Sequence, residues 1–136
     1  MDSFYSILIP VIFITLLLLL NALFVAAEFA IIGIPKVLVE KLAGKGKKTA
    51  LKLRDILNNS RLQDLYITTA QLGITLASLG LGMYGEHVLA EWLYQGMQFL
   101  QLDSKIAAHS VATVISIIIL TYLHIVIGEM IPKSLA

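Results

Sequence analysis

A single run of apolar residues, from about Phe4 to Ile34, constrains this chain more than any other feature. It exceeds the roughly 20 residues that carry a helix across a bilayer, so a helix there must tilt, kink or emerge. Pro10 near its start and Pro35 just past its end read as punctuation. A second run, from about Leu62 to Met83, is less greasy and carries Thr68, Thr69, Gln71, Gly73, Thr75, Ser78, Gly80 and Gly82. A third extends from about Ile106 to Ile131. With 136 residues and 58% of them hydrophobic, the chain is too apolar for an ordinary soluble domain. The opening MDSFYSIL has no basic residue, and the run is too long for the apolar core of a signal peptide. It is read as a retained span. The expected fold is one all-α membrane domain with three transmembrane helices.

Between the first two runs lies PKVLVEKLAGKGKKTALKLRDILNNSR, with eight of the ten basic residues. Val37, Leu38 and Leu42, then Leu51, Leu53, Ile56 and Leu57, recur at helical spacing. One or two amphipathic helices over about 36–60, broken at Gly44-Lys45-Gly46, are expected along the membrane surface. A nucleic-acid patch is set aside, because no aromatic residue is interleaved and both flanks are transmembrane. The other loop, about 84–104, holds Glu86, Glu91 and Asp103 with Tyr84, Trp92 and Tyr94, and reads as an outer amphipathic segment. The positive-inside rule keeps the basic loop cytoplasmic, with the N-terminus outside and the C-terminus inside. The expected setting is the cell's inner (plasma) membrane. The chain stops at Ala136 within a helical phrase, so a cytoplasmic continuation is expected.

Charged and amide side chains at membrane depth cost a few kcal/mol each and ask for a reason. Asn21 and Glu28 are seven residues apart, which puts them on one helix face, beside Ala22, Ala26 and Ala27. Asn21 is either interhelical glue or a ligand; Glu28 is an interfacial carboxylate, a partner for Lys133, or a secondary ligand. In ITLASLGLG, Gly80 and Gly82 weaken a helix and serve as a candidate hinge. An opening there would free the carbonyls of Leu76 and Ser78, and the Ser78 hydroxyl adds an oxygen. The alternative is close packing through Ser78 and Gly82.

The phrase IVIGEMIPKSLA is the densest of all. Pro132 has no N–H, and its ring crowds the carbonyl four residues earlier, that of Gly128. Bare backbone oxygen at this depth survives only inside protein or against a watery cavity. Glu129 places a carboxylate beside it. Gly128 and Glu129 therefore read as half of a cation site, with Pro132 as a hinge and Asn21, Leu76 and Ser78 as neutral donors. The alternative is a simple kink with Glu129 paired to Lys133. There is no cysteine, and His87, His109 and His124 are not grouped as a zinc site. An all-oxygen set suits Mg²⁺, Ca²⁺ or Na⁺; one or two carboxylates are few for Ca²⁺, and Mg²⁺ and Na⁺ stay open. His124, one turn before Gly128, is read as a hydrogen-bonded packing residue and not as a proton relay.

Three phrases, NALFVAAEFAIIGIPKVLVEKL, TAQLGITLASLGLGMYGE and YLHIVIGEMIPKSLA, resemble in order and spacing the transmembrane domain of the CorC/CNNM magnesium transporter family. The resemblance implies a homodimer of three-helix protomers with a juxtamembrane belt. It also implies a cytosolic CBS-domain pair after Ala136, binding ATP and Mg²⁺. The ion would be Mg²⁺, exported and driven by Na⁺. The family's positions map to Asn21, to Leu76–Ser78, and to Gly128 with Glu129. Relatives of the CNNM branch carry serines before the first-helix acid, in a phrase like SGSE, where this chain has VAAE. Alanine offers no side-chain oxygen, so either Asn21, one turn or more deeper, makes up the coordination or the site is remodelled.

Two other readings belong to different classes. One is a non-transporting anchor that relays to a cytosolic part; the other is a Na⁺ or H⁺ transporter, kept open by Glu129 with His124 nearby. No enzyme is expected, since no nucleophile–base pair, phosphate loop or metal-hydrolase spacing is present.

Overall fold

The computed structural model describes residues 2–99 and 105–136, and among them every regular element is helical. The first helix, α1 (Asp2–Gly33), runs unbroken through Pro10. Proline does not punctuate it, because a helix in hydrocarbon has no water to satisfy a freed backbone and so stays helical around the gap. At Pro35 the chain turns into α2 (Lys36–Gly44), passes Gly46 at φ +78, and returns as α3 (Lys48–Asn58). The belt is thus two helices, joined at a residue whose backbone favours glycine. Asn59 then caps α4 (Ser60–Gly80), its side-chain oxygen accepting from the N–H groups of Arg61 at 3.1 Å and Leu62 at 3.4 Å.

The helix of the second span does not stop at residue 83. Leu81–Gly85 forms a π turn, whose N–H groups reach back five residues, and α5 (Glu86–Phe99) follows without a break. Gly80 and Gly82 therefore do not open the helix; they sit where it widens by one residue. The Leu81 N–H still donates to the carbonyls of Ala77 and Ser78. Residues 100–104, the end of the expected outer segment with Asp103, lie outside the described residues. The third span begins with α6 (Lys105–Leu123), passes a second π segment at His124–Met130, and ends in α7 (Ile131–Leu135). Among the described residues three stretches are long and apolar enough to cross a membrane: Tyr5–Gly33, Ser60–Gln98 and His109–Leu135.

Packing follows membrane rules. Lipid is as apolar as leucine, so spans associate by close van der Waals contact and a few polar ties, not by hiding oil from water. One leucine from each span, Leu18, Leu81 and Leu120, forms a buried cluster. Small residues let the backbones approach, with Ala70, Ala77 and Ala112 all buried. Gly73 admits the Phe24 ring so closely that a Cβ there would stand 2.6 Å from it. A second cluster, Ile31, Val39 and Leu57 with Tyr66 and Ile67, seats the α2–α3 hairpin on the ends of α1 and α4. The outward faces of all three spans, with Leu19, Leu72 and Ile118, are exposed apolar surface suited to lipid.

Candidate cation site

Asn21 is the pivot. It is fully buried at the middle of α1, where an unsatisfied amide would be costly. Its Nδ2 donates to the Gly128 carbonyl at 2.9 Å, and its Oδ1 accepts from the Ser78 hydroxyl at 3.2 Å. Ser78 Oγ in turn lies 3.1 Å from His124 Nε2. One hydrogen-bonded chain thus joins all three spans.

The local backbone explains why Gly128 takes part. Pro132 has no N–H to return to Gly128, four residues back, or to Ile127, five back. The third span meets this with a π segment, in which the Ile131 N–H reaches Val126 instead of Ile127. Pro132 then falls in the first turn of α7, where a missing N–H does least harm. Glycine at 128 is a steric requirement, since a Cβ would lie 2.8 Å from Asn21 Nδ2 and 2.9 Å from His124 Cδ2.

Sequence reasoning left the Gly128 carbonyl bare. The structure corrects this: the Asn21 amide caps it, because an amide on a neighbouring span can supply the donor that Pro132 lacks. Asn21, Ser78 and Gly128 are brought together. Leu76, expected to offer its carbonyl on an opening of the helix, lies inside regular α4, where no opening frees that oxygen. Glu129 turns from the chain of bonds into an adjacent cleft of about 180 Å³, lined by Val25, Glu28, Phe29, Ile74 and Lys133. Val25 and Ile74 each stand one turn from Asn21 and Ser78, so the cleft abuts the network on the side of the basic belt.

Within the cleft Glu28 accepts from Gln71 Nε2 at 3.1 Å. Lys133 lies over the Phe29 ring, 4.7 Å from its centroid. Among the described residues no ion pair joins Lys133 to Glu28 or Glu129, so the alternative reading, a Glu129–Lys133 pair, is not formed. Nor does any group of three or more His, Cys, Asp or Glu side chains gather among them. The donor set is therefore mostly neutral oxygen with carboxylates beside it. The Ser78–Asn21 separation of 3.2 Å is that of the hydrogen bond between them, which a cation would have to replace. His124 joins the network as the hydrogen-bonded packing residue expected of it, four residues before Gly128 and so on the same face.

A profile of the Cyclin M transmembrane N-terminal domain matches residues 12–136. The UPF0053 protein YrkA of Bacillus subtilis is 37% identical over 128 residues, covering 94% of this chain and 29% of that protein. UPF0053 protein YhdT of the same organism is 36% identical, over 92% of this chain and 26% of its own length. An uncharacterized protein of Mycobacterium tuberculosis, Rv1841c, is 35% identical over 85% of this chain and 31% of its own. The chain thus spans under a third of the length of these relatives. No solved structure matches it. Three apolar spans, the shared phrases along them and the profile match agree: the chain belongs to the CorC/CNNM family.

Proposed function

We propose that this chain moves Mg²⁺ across the membrane, using Asn21, Ser78 and Glu129 as intramembrane oxygen donors, with the Gly128 carbonyl holding the Asn21 amide in place. The observation that supports it is the meeting of oxygens from all three spans at Asn21. Mg²⁺ gives up water reluctantly, so a site must offer preformed oxygens and charge to offset that cost. The Glu28 and Glu129 carboxylates line the approach from the basic belt, which the positive-inside rule puts in the cytoplasm. In the outward step the second span would open at the π turn beside Gly80 and Gly82, which is closed here, freeing the Leu76 carbonyl and letting the ion leave. The direction is efflux, coupled to Na⁺, and the working unit is a homodimer. The extra length of the relatives leaves room for a regulatory cytosolic part.

Mg²⁺ flux into or out of proteoliposomes, with and without a Na⁺ gradient, tests this. Flux that rises with the gradient, and that Asn21→Ala and Glu129→Ala abolish, is expected. A second reading, a membrane anchor that transports nothing, is favoured by the self-satisfied hydrogen bonding around Asn21. Absence of Mg²⁺ flux under every gradient would establish that reading in its place.

A further inference from the structure

The Ser78 hydroxyl faces two atoms that can each take its proton. Asn21 Oδ1 is 3.2 Å away and His124 Nε2 is 3.1 Å away. A hydroxyl has one proton to give. The Asn21 amide cannot turn over without losing its bond from Nδ2 to the Gly128 carbonyl at 2.9 Å, so its oxygen is held toward Ser78. While Ser78 donates to that oxygen, His124 must carry its hydrogen on Nε2 and donate to a lone pair of Ser78.

A cation between Asn21 Oδ1 and Ser78 Oγ reverses this arrangement. The proton that sits between the two oxygens must leave, because both lone pairs now face the ion. The acceptor in reach is His124 Nε2, and it accepts only with its hydrogen moved to Nδ1. One proton leaves Nε2 and one joins Nδ1, so the ring stays neutral and no proton is released. We propose that His124 is the positioning residue of the site: it sets the direction of the Ser78 hydroxyl, and its neutral ring changes tautomer when a hard cation binds Asn21 and Ser78. This rests on the reading of Ser78 as a site oxygen.

The first test is nuclear magnetic resonance of purified protein carrying ¹⁵N-histidine, titrated with Mg²⁺. The His124 signals are assigned by their loss in His124→Gln. Saturating Mg²⁺ should convert Nε2 from a protonated to an unprotonated nitrogen and Nδ1 the reverse. Calorimetry supplies the second. His124→Leu, with no acceptor, should bind Mg²⁺ about tenfold more weakly, the equivalent of one lost hydrogen bond. His124→Gln, whose amide oxygen can accept at similar reach, should stay within about threefold of the parent. In a Ser78→Ala background His124→Leu should cost nothing more. If the leucine variant is recovered unfolded, His124→Met is read against the same limits. No tautomer change at saturation, or equal losses with and without Ser78, overturns the proposal. Ser78→Ala binding like the parent removes the site reading and the proposal together. A weakened Ser78→Ala beside an unaffected His124→Leu removes the proposal alone.

Discussion

Adding one methyl group at Gly128 should damage this protein more than its size suggests. The new Cβ would stand 2.8 Å from Asn21 Nδ2 and 2.9 Å from His124 Cδ2, where ordinary contact begins at 3.4 Å. Overpacking of this kind costs about 1–3 kcal/mol. Asn21 can yield only by giving up its 2.9 Å bond to the Gly128 carbonyl, which Pro132 cannot replace. Side-chain hydrogen bonds between spans contribute roughly 0.6 kcal/mol, up to about 1.7. Gly128→Ala should therefore lose about 2–4 kcal/mol, read as reversible unfolding in detergent by circular dichroism. The decisive comparison uses Asn21→Ala as the background. With the amide gone, the 2.8 Å contact is removed while the 2.9 Å contact with His124 Cδ2 stays, so the cost should fall by about 1 kcal/mol or more without vanishing. An equal cost in both backgrounds would refute the argument, for it would mean that the penalty arises within the third span and not against Asn21.

Three other outcomes follow from the geometry. Glu129→Gln should weaken Mg²⁺ binding by at least about tenfold in calorimetry with folding intact, and Glu28→Gln should weaken it less, since Glu28 is already engaged by Gln71. Gly73→Ala should cost about 1–3 kcal/mol in the same unfolding assay, and Phe24→Leu in that background should recover at least half of the loss by vacating the ring's place. Asn59→Ala removes the acceptor at the start of α4; it should cost about 1 kcal/mol and speed hydrogen exchange at the Arg61 and Leu62 amides.

The three spans were legible because a bilayer demands length and apolarity, and few other folds supply runs like Phe4–Ile34. The belt was legible through its helical spacing, and its break through Gly44 and Gly46, one of which adopts a positive φ. Glycine and proline elsewhere misled. Pro10, Gly80 and Gly82 read as breaks by rules learned in water, where a freed backbone group finds a solvent partner. In hydrocarbon the helix holds, absorbing the fault as a π turn or passing straight through. The IVIGEMIP phrase was read correctly as a place where the backbone loses a donor. What fills the gap, the amide of Asn21 more than a hundred residues away, is a tertiary fact that no local pattern carries. His124 was legible as a hydrogen-bonded packing residue, but its partner Ser78, on another helix, was not.

Asn21 commits both functions of its amide, the donor to the third span and the acceptor to the second. Neither neighbour can slide along α1 by one turn, about 5.4 Å, and leave the other undisturbed. Its departure would break one bond and release the amide that orders the other, with no water at that depth to take either partner. Motions of the three rods are therefore yoked through one side chain, and a change felt at any of them is delivered to the remaining two at once.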